Sequence, residues 1–212
     1  MHEARRFGFL GPGPLSVHCG HSAGFLRVLV GAGRPYLSLE WLSGGRRIVD
    51  LGSGSGVPGL VIAWFLENVE VILIDSNARR AEFLVRAAEF LGLESATRVV
   101  CERAELVGHD PAFREGADLV VARSFGPPAV TAECGSALTR VGGYLAVSDA
   151  PQPSNFPNES RWPNDSLGKL GLTHAGTKKT DGRFSYAVLE KVAPLPDQFP
   201  RRVGIPAKRP LW

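Results

Sequence analysis

A glycine-rich segment between Asp50 and Gly59 contains the residue types that point most directly to chemistry. Its sequence is Asp-Leu-Gly-Ser-Gly-Ser-Gly-Val-Pro-Gly. Glycine permits backbone angles closed to other residues and lets a ligand approach the main chain. Apolar runs at 48–51 and 60–66 flank the segment, which predicts a buried strand, a turn and a helix. Such a turn can hold a ligand at the carboxyl end of a parallel strand, beside the unpaired N–H groups of the helix.

Two cofactors fit this turn. Gly54, Gly56 and Gly59 satisfy the spacing of dinucleotide-binding proteins. Asp50 favours a different cofactor, because a carboxylate at the strand end is poorly placed beside a pyrophosphate and well placed for a positive amino group. S-adenosylmethionine carries such a group, so it is the preferred cofactor and a nicotinamide dinucleotide the alternative. The candidate cofactor-binding residues in this turn and after the next strand are Asp50, Gly52, Ser53, Gly54, Asp75 and Ser76.

Asp75 stands at the end of the second predicted strand, 69–75, and has two possible roles. Its carboxylate could accept hydrogen bonds from both hydroxyls of a ribose. It could instead cap the helix that begins near Ala78, although Ser76 or Asn77 would fill that role equally well. Ribose binding is the favoured interpretation.

The elements that position these residues alternate along the chain. Strands are predicted at 48–51, 69–75, 97–101, 118–122, 144–147 and 183–192, and helices at 22–30, 36–42, 60–66, 78–91, 129–138 and 167–172. Strands alternating with helices at this spacing predict an α/β fold, a doubly wound and mainly parallel sheet covered on both sides. We therefore expect an N-terminal, partly helical extension at 1–45, one domain at 46–192 and a basic C-terminal tail at 193–212. A Pro-, Asn- and Ser-rich stretch at 151–165 predicts a long surface loop.

Composition narrows the class of protein. The chain has 212 residues, a net charge of +3 and three cysteines far apart in sequence. We expect reduced thiols in a cytoplasmic protein without a signal peptide or a membrane span. His18 and His21 could form half of a metal site, but no second pair with ligand spacing follows, so no metal is expected.

Several segments together resemble a known family, the small-subunit ribosomal RNA methyltransferase G family, also called glucose-inhibited division protein B. The resemblance covers roughly residues 46–147 and 183–212. The segments that carry it are the turn from Asp50 to Gly59, Ile74-Asp75-Ser76 with Arg80 and Phe83-Leu84, Arg103-Ala104-Glu105, Ala122-Arg123-Ser124-Phe125, and the tail from Pro200 to Leu211.

The resemblance implies a class I S-adenosylmethionine-dependent methyltransferase fold, which is Rossmann-like with a seven-stranded sheet. It implies methylation of a guanine N7 in 16S ribosomal RNA. Gly52 and Val57 would line the cofactor site, Ala104 and Glu105 would contact the adenine end, and Arg123 would lie beside the cofactor and the target as the catalytic residue. From the residues alone, Glu105 could equally be a surface carboxylate and Arg123 a salt-bridge partner.

The C-terminal tail carries four cations and no acid from residue 201 to the end, which favours contact with a phosphate backbone. The candidate RNA-binding residues are Arg201, Arg202, Lys208 and Arg209. A solvated tail without a ligand is the alternative that charge alone leaves open.

Two departures from the family bear on the substrate. Ser148-Asp149 stands where members usually carry Lys-Gly, so an acid replaces a cation, and the N-terminal region lacks the family's asparagine-rich and histidine-containing motifs. Three other functions therefore stay open beside the rRNA methyltransferase: a small-molecule methyltransferase, a non-catalytic RNA- or protein-binding module, and a nicotinamide oxidoreductase.

Overall fold

A seven-stranded sheet organises the computed structural model, which describes residues 1–30, 44–149, 161–180 and 184–212. The strands are β1 Arg46–Leu51, β2 Val69–Ile74, β3 Thr97–Val100, β4 Ala117–Ala122, β5 Thr139–Asp149, β6 Leu172–Thr180 and β7 Phe184–Lys191. They lie in the order β3-β2-β1-β4-β5-β7-β6. The first five are parallel, and β7 runs antiparallel to both β5 and β6. The expected doubly wound, mainly parallel, seven-stranded sheet is confirmed.

The strands of this sheet present alternate residues to two apolar layers, as the pleat requires. Val49, Leu51, Ile72 and Ile74 belong to one cluster of buried side chains. Ile48, Val71 and Leu73 belong to the other. Both faces are therefore covered, and the polar carboxyl ends of the strands are left at one edge, where a site can form.

Helices cover the two faces. In the described part of the chain they are α1 His2–Arg6, α2 Leu15–Val30, α3 Gly59–Phe65, α4 Ala78–Leu91, α5 Ala104–Val107, α6 Pro128–Leu138, α7 Asn164–Gly168 and α8 Ile205–Lys208. The side chain of Asn77 caps α4 by accepting a hydrogen bond from Arg80 N at 3.2 Å, and Gly92 ends that helix in the left-handed region. Asp75 is therefore not the capping residue of this helix. None of the described helices is long and apolar enough to cross a membrane.

The expectation was wrong in the last third of the sheet. A helix was predicted at 167–172, but α7 ends at Gly168 and β6 begins at Leu172. This strand was missed because Leu-Thr-His-Ala-Gly-Thr-Lys-Lys-Thr shows little apolar alternation, and as an edge strand paired only with β7 it needs less. The helix predicted at 36–42, and most of the loop predicted at 151–165, lie outside the described residues.

The C-terminal residues 193–212 pack against the rest of the protein. Leu195 and Phe199 are buried in the same apolar cluster as α6. Arg114 donates hydrogen bonds to the carbonyl oxygens of Leu195 and Phe199 at 3.1 and 2.8 Å. The basic segment thus has a defined position above the sheet edge, which matters for the site below.

Candidate functional site

Asp50 anchors the glycine turn from inside. Its side chain is fully buried, and Oδ2 accepts a hydrogen bond from Gly59 N at 2.7 Å. Gly59 has no side chain because a Cβ there would lie 2.5 Å from the same oxygen. Burial raises the pKa of Asp50 to about 7, although the Gly59 N–H works in the opposite direction. Oδ1 has no hydrogen-bond partner in the structure.

Gly52 forms the part of the turn that faces open space. Its φ of +76° lies in the left-handed region, which suits glycine. A Cβ at this position would lie 2.6 Å from Cδ2 of the Phe125 ring. Backbone is therefore exposed to a narrow space between the turn and Phe125 that a side chain would fill.

Asp75 lies across the same space, at the end of β2. Its oxygens accept hydrogen bonds from Gly54 N and Asn77 N, each at 2.9 Å, and Arg80 lies 3.6 Å away. A carboxylate oxygen has lone pairs for more than one donor, so both oxygens can still accept from a ligand. This arrangement fits the two vicinal hydroxyls of a ribose.

A cavity of about 270 Å³ joins these groups, and we call it the first cavity. Five of the expected cofactor-binding residues line it: Gly52, Asp75, Ser76, Ala104 and Glu105. Cys134 also lines it, but burial raises the pKa of its thiol, so it remains protonated and is not a nucleophile. Backbone without a side chain and a ribose-type carboxylate together fit S-adenosylmethionine.

The other expected cofactor-binding residues are not at this cavity. Asp50, Ser53 and Gly54 do not line it, and Ser53 Oγ donates to Asp50 O at 2.9 Å, which shapes the turn. The side chain of Val57 is elsewhere, in a small apolar cluster with Ala4, Leu10 and Phe83. The structure therefore does not bring Val57 to Gly52, because the turn points consecutive side chains in different directions.

The C-terminal segment closes the far end of the first cavity. Gly204 N donates to Glu105 Oε1 at 2.9 Å, and Ala207 of α8 lines the cavity wall. Burial works to raise the pKa of Glu105, but hydrogen bonds from Gly204 and Arg103 outweigh it and hold that pKa below its ordinary value. Glu105 is thus an ionised, buried carboxylate and not a free surface acid.

A second cavity, of about 420 Å³, adjoins the first and shares Ser124, Phe125 and Gly126 with it. Its polar lining comes from distant parts of the chain: His21, Arg123, Ser148, Asp149 and Arg161. Trp162 and Phe184 supply further aromatic surface. We call this the second cavity.

Arg123 belongs to the second cavity and does not line the first. Its Nη2 donates to Nδ1 of His18 at 2.8 Å, and His21 Nε2 lies 2.8 Å from Ser148 Oγ. Burial, and then the charge of Arg123, lower the pKa of His18 below its ordinary value and that of His21 to about 4. Both histidines are therefore neutral near pH 7, and Arg123 carries the positive charge in this corner. No cluster of potential metal ligands exists among the described residues.

Asp149 is the substituted residue noted in the sequence, and the structure pairs it. Its Oδ1 lies 2.7 Å from Arg161 Nε, and its Oδ2 accepts from Trp162 Nε1 at 3.1 Å. Sequence analysis missed Arg161 and Trp162 because both lie in the stretch expected to be a surface loop. The available signal was the unusual acid itself, since a buried carboxylate requires a cation.

The four basic residues of the C-terminal segment divide into two kinds. Arg201 binds Glu133, a fully buried acid of α6, through Nε and through Nη2 at 2.6 Å. Arg202, Lys208 and Arg209 are exposed. The charge of Arg201 is thus neutralised within the protein, which leaves the other three facing solvent.

Comparison of the sequence with known proteins identifies a single family. The family model for rRNA small subunit methyltransferase G matches residues 37–155. The chain is 36% identical to the Ribosomal RNA small subunit methyltransferase G of Roseiflexus castenholzii, over 82% of this chain and 74% of that one. It is 37% identical to the protein of the same name from Thermotoga neapolitana, over 77% and 71% of the two chains.

Solved structures agree on the fold. Fibrillarin from Aeropyrum pernix, crystallised with natively bound S-adenosylmethionine, superposes with a TM-score of 0.60 at 15% identity, covering 81% of this chain and 75% of that one. An S-adenosylmethionine-dependent methyltransferase from Aquifex aeolicus gives 0.52 at 16% identity, over 81% and 98%. At such low identities the likeness extends to the fold alone.

Proposed function

The chain belongs to the rRNA small subunit methyltransferase G family and is an S-adenosylmethionine-dependent methyltransferase, and we propose that its acceptor is N7 of a guanine in 16S ribosomal RNA. The observation that carries this proposal is the pair of adjoining cavities, which meet at Ser124, Phe125 and Gly126. One has the groups that suit the cofactor, and the other has room for a base beside it.

In this proposal the first cavity holds the cofactor. Gly52 offers its backbone, Asp75 accepts from the ribose hydroxyls with Ser76 beside it, and Ala104 and Glu105 contact the adenine end. The conformation of the turn is fixed by Asp50, Ser53 and Gly54, which support the cofactor site without lining it. When bound, S-adenosylmethionine supplies a methyl group on a positively charged sulfur.

The reaction proposed for the second cavity requires few catalytic groups from the protein. Guanine N7 already has a lone pair, so no general base is needed, and catalysis rests on alignment and electrostatics. The lining suits that task, because His21 is neutral and Asp149 is paired with Arg161. Arg123 is then the group that fixes this corner of the site through His18.

The exposed cations of the C-terminal segment are proposed to contact RNA phosphates. Arg202, Lys208 and Arg209 are solvent-facing and lie on the segment that closes the first cavity. Arg201 is proposed to have a different role, because its guanidinium is bound to Glu133. Its contribution to RNA binding is to hold the segment in place.

The test is transfer of a labelled methyl group from S-adenosylmethionine to small-subunit RNA or particles. We expect incorporation that weakens steeply with salt, because phosphate contacts release counterions. Pools of small metabolites serve as the alternative methyl acceptors. The proposal would be rejected by salt-insensitive transfer to a metabolite, or by a protein that binds cofactor and RNA but transfers the methyl group to neither RNA nor metabolite.

A further inference from the structure

The pair formed by Asp149 and Arg161 is unusually well fixed for a position at a cavity wall. The Asp149 side chain, at the end of β5, is 4% exposed; its Oδ2 accepts a hydrogen bond from Trp162, and its Oδ1 forms an ion pair with Arg161 Nε at 2.7 Å that is not aligned as a hydrogen bond. The backbone of Arg161 is held as well, because its carbonyl oxygen accepts a hydrogen bond from Nε1 of Trp212 at 3.1 Å. Asp149 thus pairs with the guanidinium, and Trp212 holds the backbone that carries it.

This arrangement leaves part of the guanidinium free. Only Nε of Arg161 is engaged by Asp149, and its side chain is 29% exposed at the second cavity. Within the described ranges, the two Nη atoms have no hydrogen-bond partner. A buried ion pair is weak support for stability, since desolvation offsets most of the attraction. A guanidinium at the cavity wall with both Nη groups unengaged among the described residues therefore points to a ligand that accepts hydrogen bonds.

The chemistry of purines selects among such ligands. The edge of guanine that carries N7 also carries O6, and both are acceptors, whereas adenine carries an amino donor at the position of O6. Arginine has donors only, so it binds O6 and is repelled by the adenine amino group. Phe125 and Phe184 also line this cavity, and aromatic rings suit a planar base.

We propose that Arg161 selects guanine in the second cavity by donating to O6 of the base, and that Asp149 is the positioning residue that aims its guanidinium. This inference rests on the proposed function, in which guanine N7 is the acceptor. N7 is left free for reaction, because the guanidinium binds the neighbouring atom. Arg161 is thus a specificity-determining residue.

The carboxylate has a second effect that an unpaired arginine would lack. A purine methylated at N7 carries a positive charge, so an unpaired guanidinium beside O6 would oppose its formation. Asp149 lies 2.7 Å from Arg161 and offsets that charge. The pair therefore presents directional donors with little net charge.

The experiment measures nucleotide binding to the full chain saturated with S-adenosylhomocysteine, which prevents turnover. Guanosine, inosine and adenosine monophosphates are titrated by ligand-observed NMR against the wild type, Arg161→Met, Asp149→Asn and Arg140→Met. Inosine shares O6 and N7 with guanosine, and all three nucleotides share the phosphate. Arg140→Met is the matched control, because Arg140 is similarly exposed and binds Asp118 at 2.9 Å, at the opposite end of β5.

We expect the wild type and Arg140→Met to bind the guanosine and inosine nucleotides alike, and roughly tenfold tighter than the adenosine nucleotide. Arg161→Met should lose this preference, and Asp149→Asn should lose part of it. Melting temperature and S-adenosylhomocysteine affinity verify that each variant is folded. If Arg161→Met does not fold, Asp149→Asn decides, because full preference in that variant contradicts the proposal.

Two results would overturn the inference. One is a wild type without base preference, and the other is an Arg161→Met protein that weakens all three nucleotides equally, which would assign Arg161 to the phosphate. The proposed function fails separately. A protein that prefers guanine nucleotides but methylates no small-subunit RNA keeps the pocket assignment and loses the RNA substrate.

Discussion

The two cavities of this protein are built in opposite ways. The first takes its polar groups from the ends of successive strands, at Gly52, Asp75 and Glu105, which follow one another in the chain. The second combines α2, the ends of β4 and β5, and residues after a long connection, such as His21, Asp149 and Arg161. The first cavity is thus built mainly at the sheet edge, with the C-terminal segment closing one end, whereas the second depends on tertiary contacts between distant segments throughout.

The largest expected effect is on stability, when Arg201 is removed from the C-terminal segment that closes the first cavity. Arg201→Ala leaves Glu133 buried without its partner, and we expect a loss of about 3 kcal/mol or more in the free energy of unfolding. Arg202→Ala removes an exposed neighbour and should change stability by less than about 0.5 kcal/mol. Urea denaturation measures both, and equal effects would show that the Glu133 contact is unimportant.

The buried carboxylate behind the first cavity should give stability a distinct pH dependence. The pKa of Asp50 is raised to about 7 by burial, so the folded protein holds this proton more tightly than the unfolded chain does. Relative to Asp50→Asn, the cofactor-free wild type should therefore lose stability as pH rises from about 4 to about 7, by at most ~4 kcal/mol. Denaturation across this range measures the difference.

His21 in the second cavity supplies the contrast, because burial lowers its pKa to about 4. Relative to His21→Asn, the wild type should lose stability in the other direction, as pH falls from 6.5 towards 4.

A difference in stability between the wild type and Asp50→Asn that does not vary with pH would contradict the burial of an ionisable group at the turn.

Loss of the Asp75 carboxylate should weaken cofactor binding at the first cavity. In the proposed site, Asp75→Ala removes two charge-assisted hydrogen bonds to the cofactor and also the acceptors of Gly54 N and Asn77 N, and we expect the Kd for the cofactor to rise roughly 100-fold. Asp165→Ala, an exposed acid of α7, is the matched control and should leave cofactor affinity unchanged. Calorimetry measures both, and an unaffected Asp75→Ala protein would place the cofactor elsewhere.

Two glycines of the turn separate backbone strain from cavity space. Gly52 and Gly54 both have positive φ, at 76° and 53°, so alanine at either should cost about 1 kcal/mol of stability. Only at Gly52 would the new Cβ meet Phe125, whereas at Gly54 the nearest non-neighbouring atom, the carbonyl oxygen of Gly52, would be 3.8 Å away. We expect cofactor affinity to fall about tenfold in Gly52→Ala and little in Gly54→Ala; equal losses would contradict the geometry of the first cavity.

The contrast between the cavities also explains how far the sequence could be followed. Gly52, Asp75 and the positions of the first five strands along the chain were predictable, because glycine spacing, strand-end acids and apolar runs are local signals. Val57 was assigned by resemblance, and the fold directs its side chain to Phe83 instead.

The second cavity gave one weaker signal, the unusual acid Asp149. Arg161 is recognisable only through its distance of 2.7 Å to Asp149, and Trp212 only through its contact with Arg161. Strand β6 was missed for a related reason, since an edge strand is defined by its partner β7 more than by its own pattern. These features are defined by partners that only the fold brings into contact, which is why the sequence pattern did not reveal them.

The most direct measurement of the central claim is the position of the methyl group on the RNA. After reaction of the wild type with small-subunit RNA or particles, the RNA is digested and its modified nucleosides are identified by mass spectrometry, with cleavage at the modified site locating the nucleotide. The account predicts 7-methylguanosine in 16S ribosomal RNA. Methylation of another atom or another base, or none by protein that binds the cofactor, would contradict it.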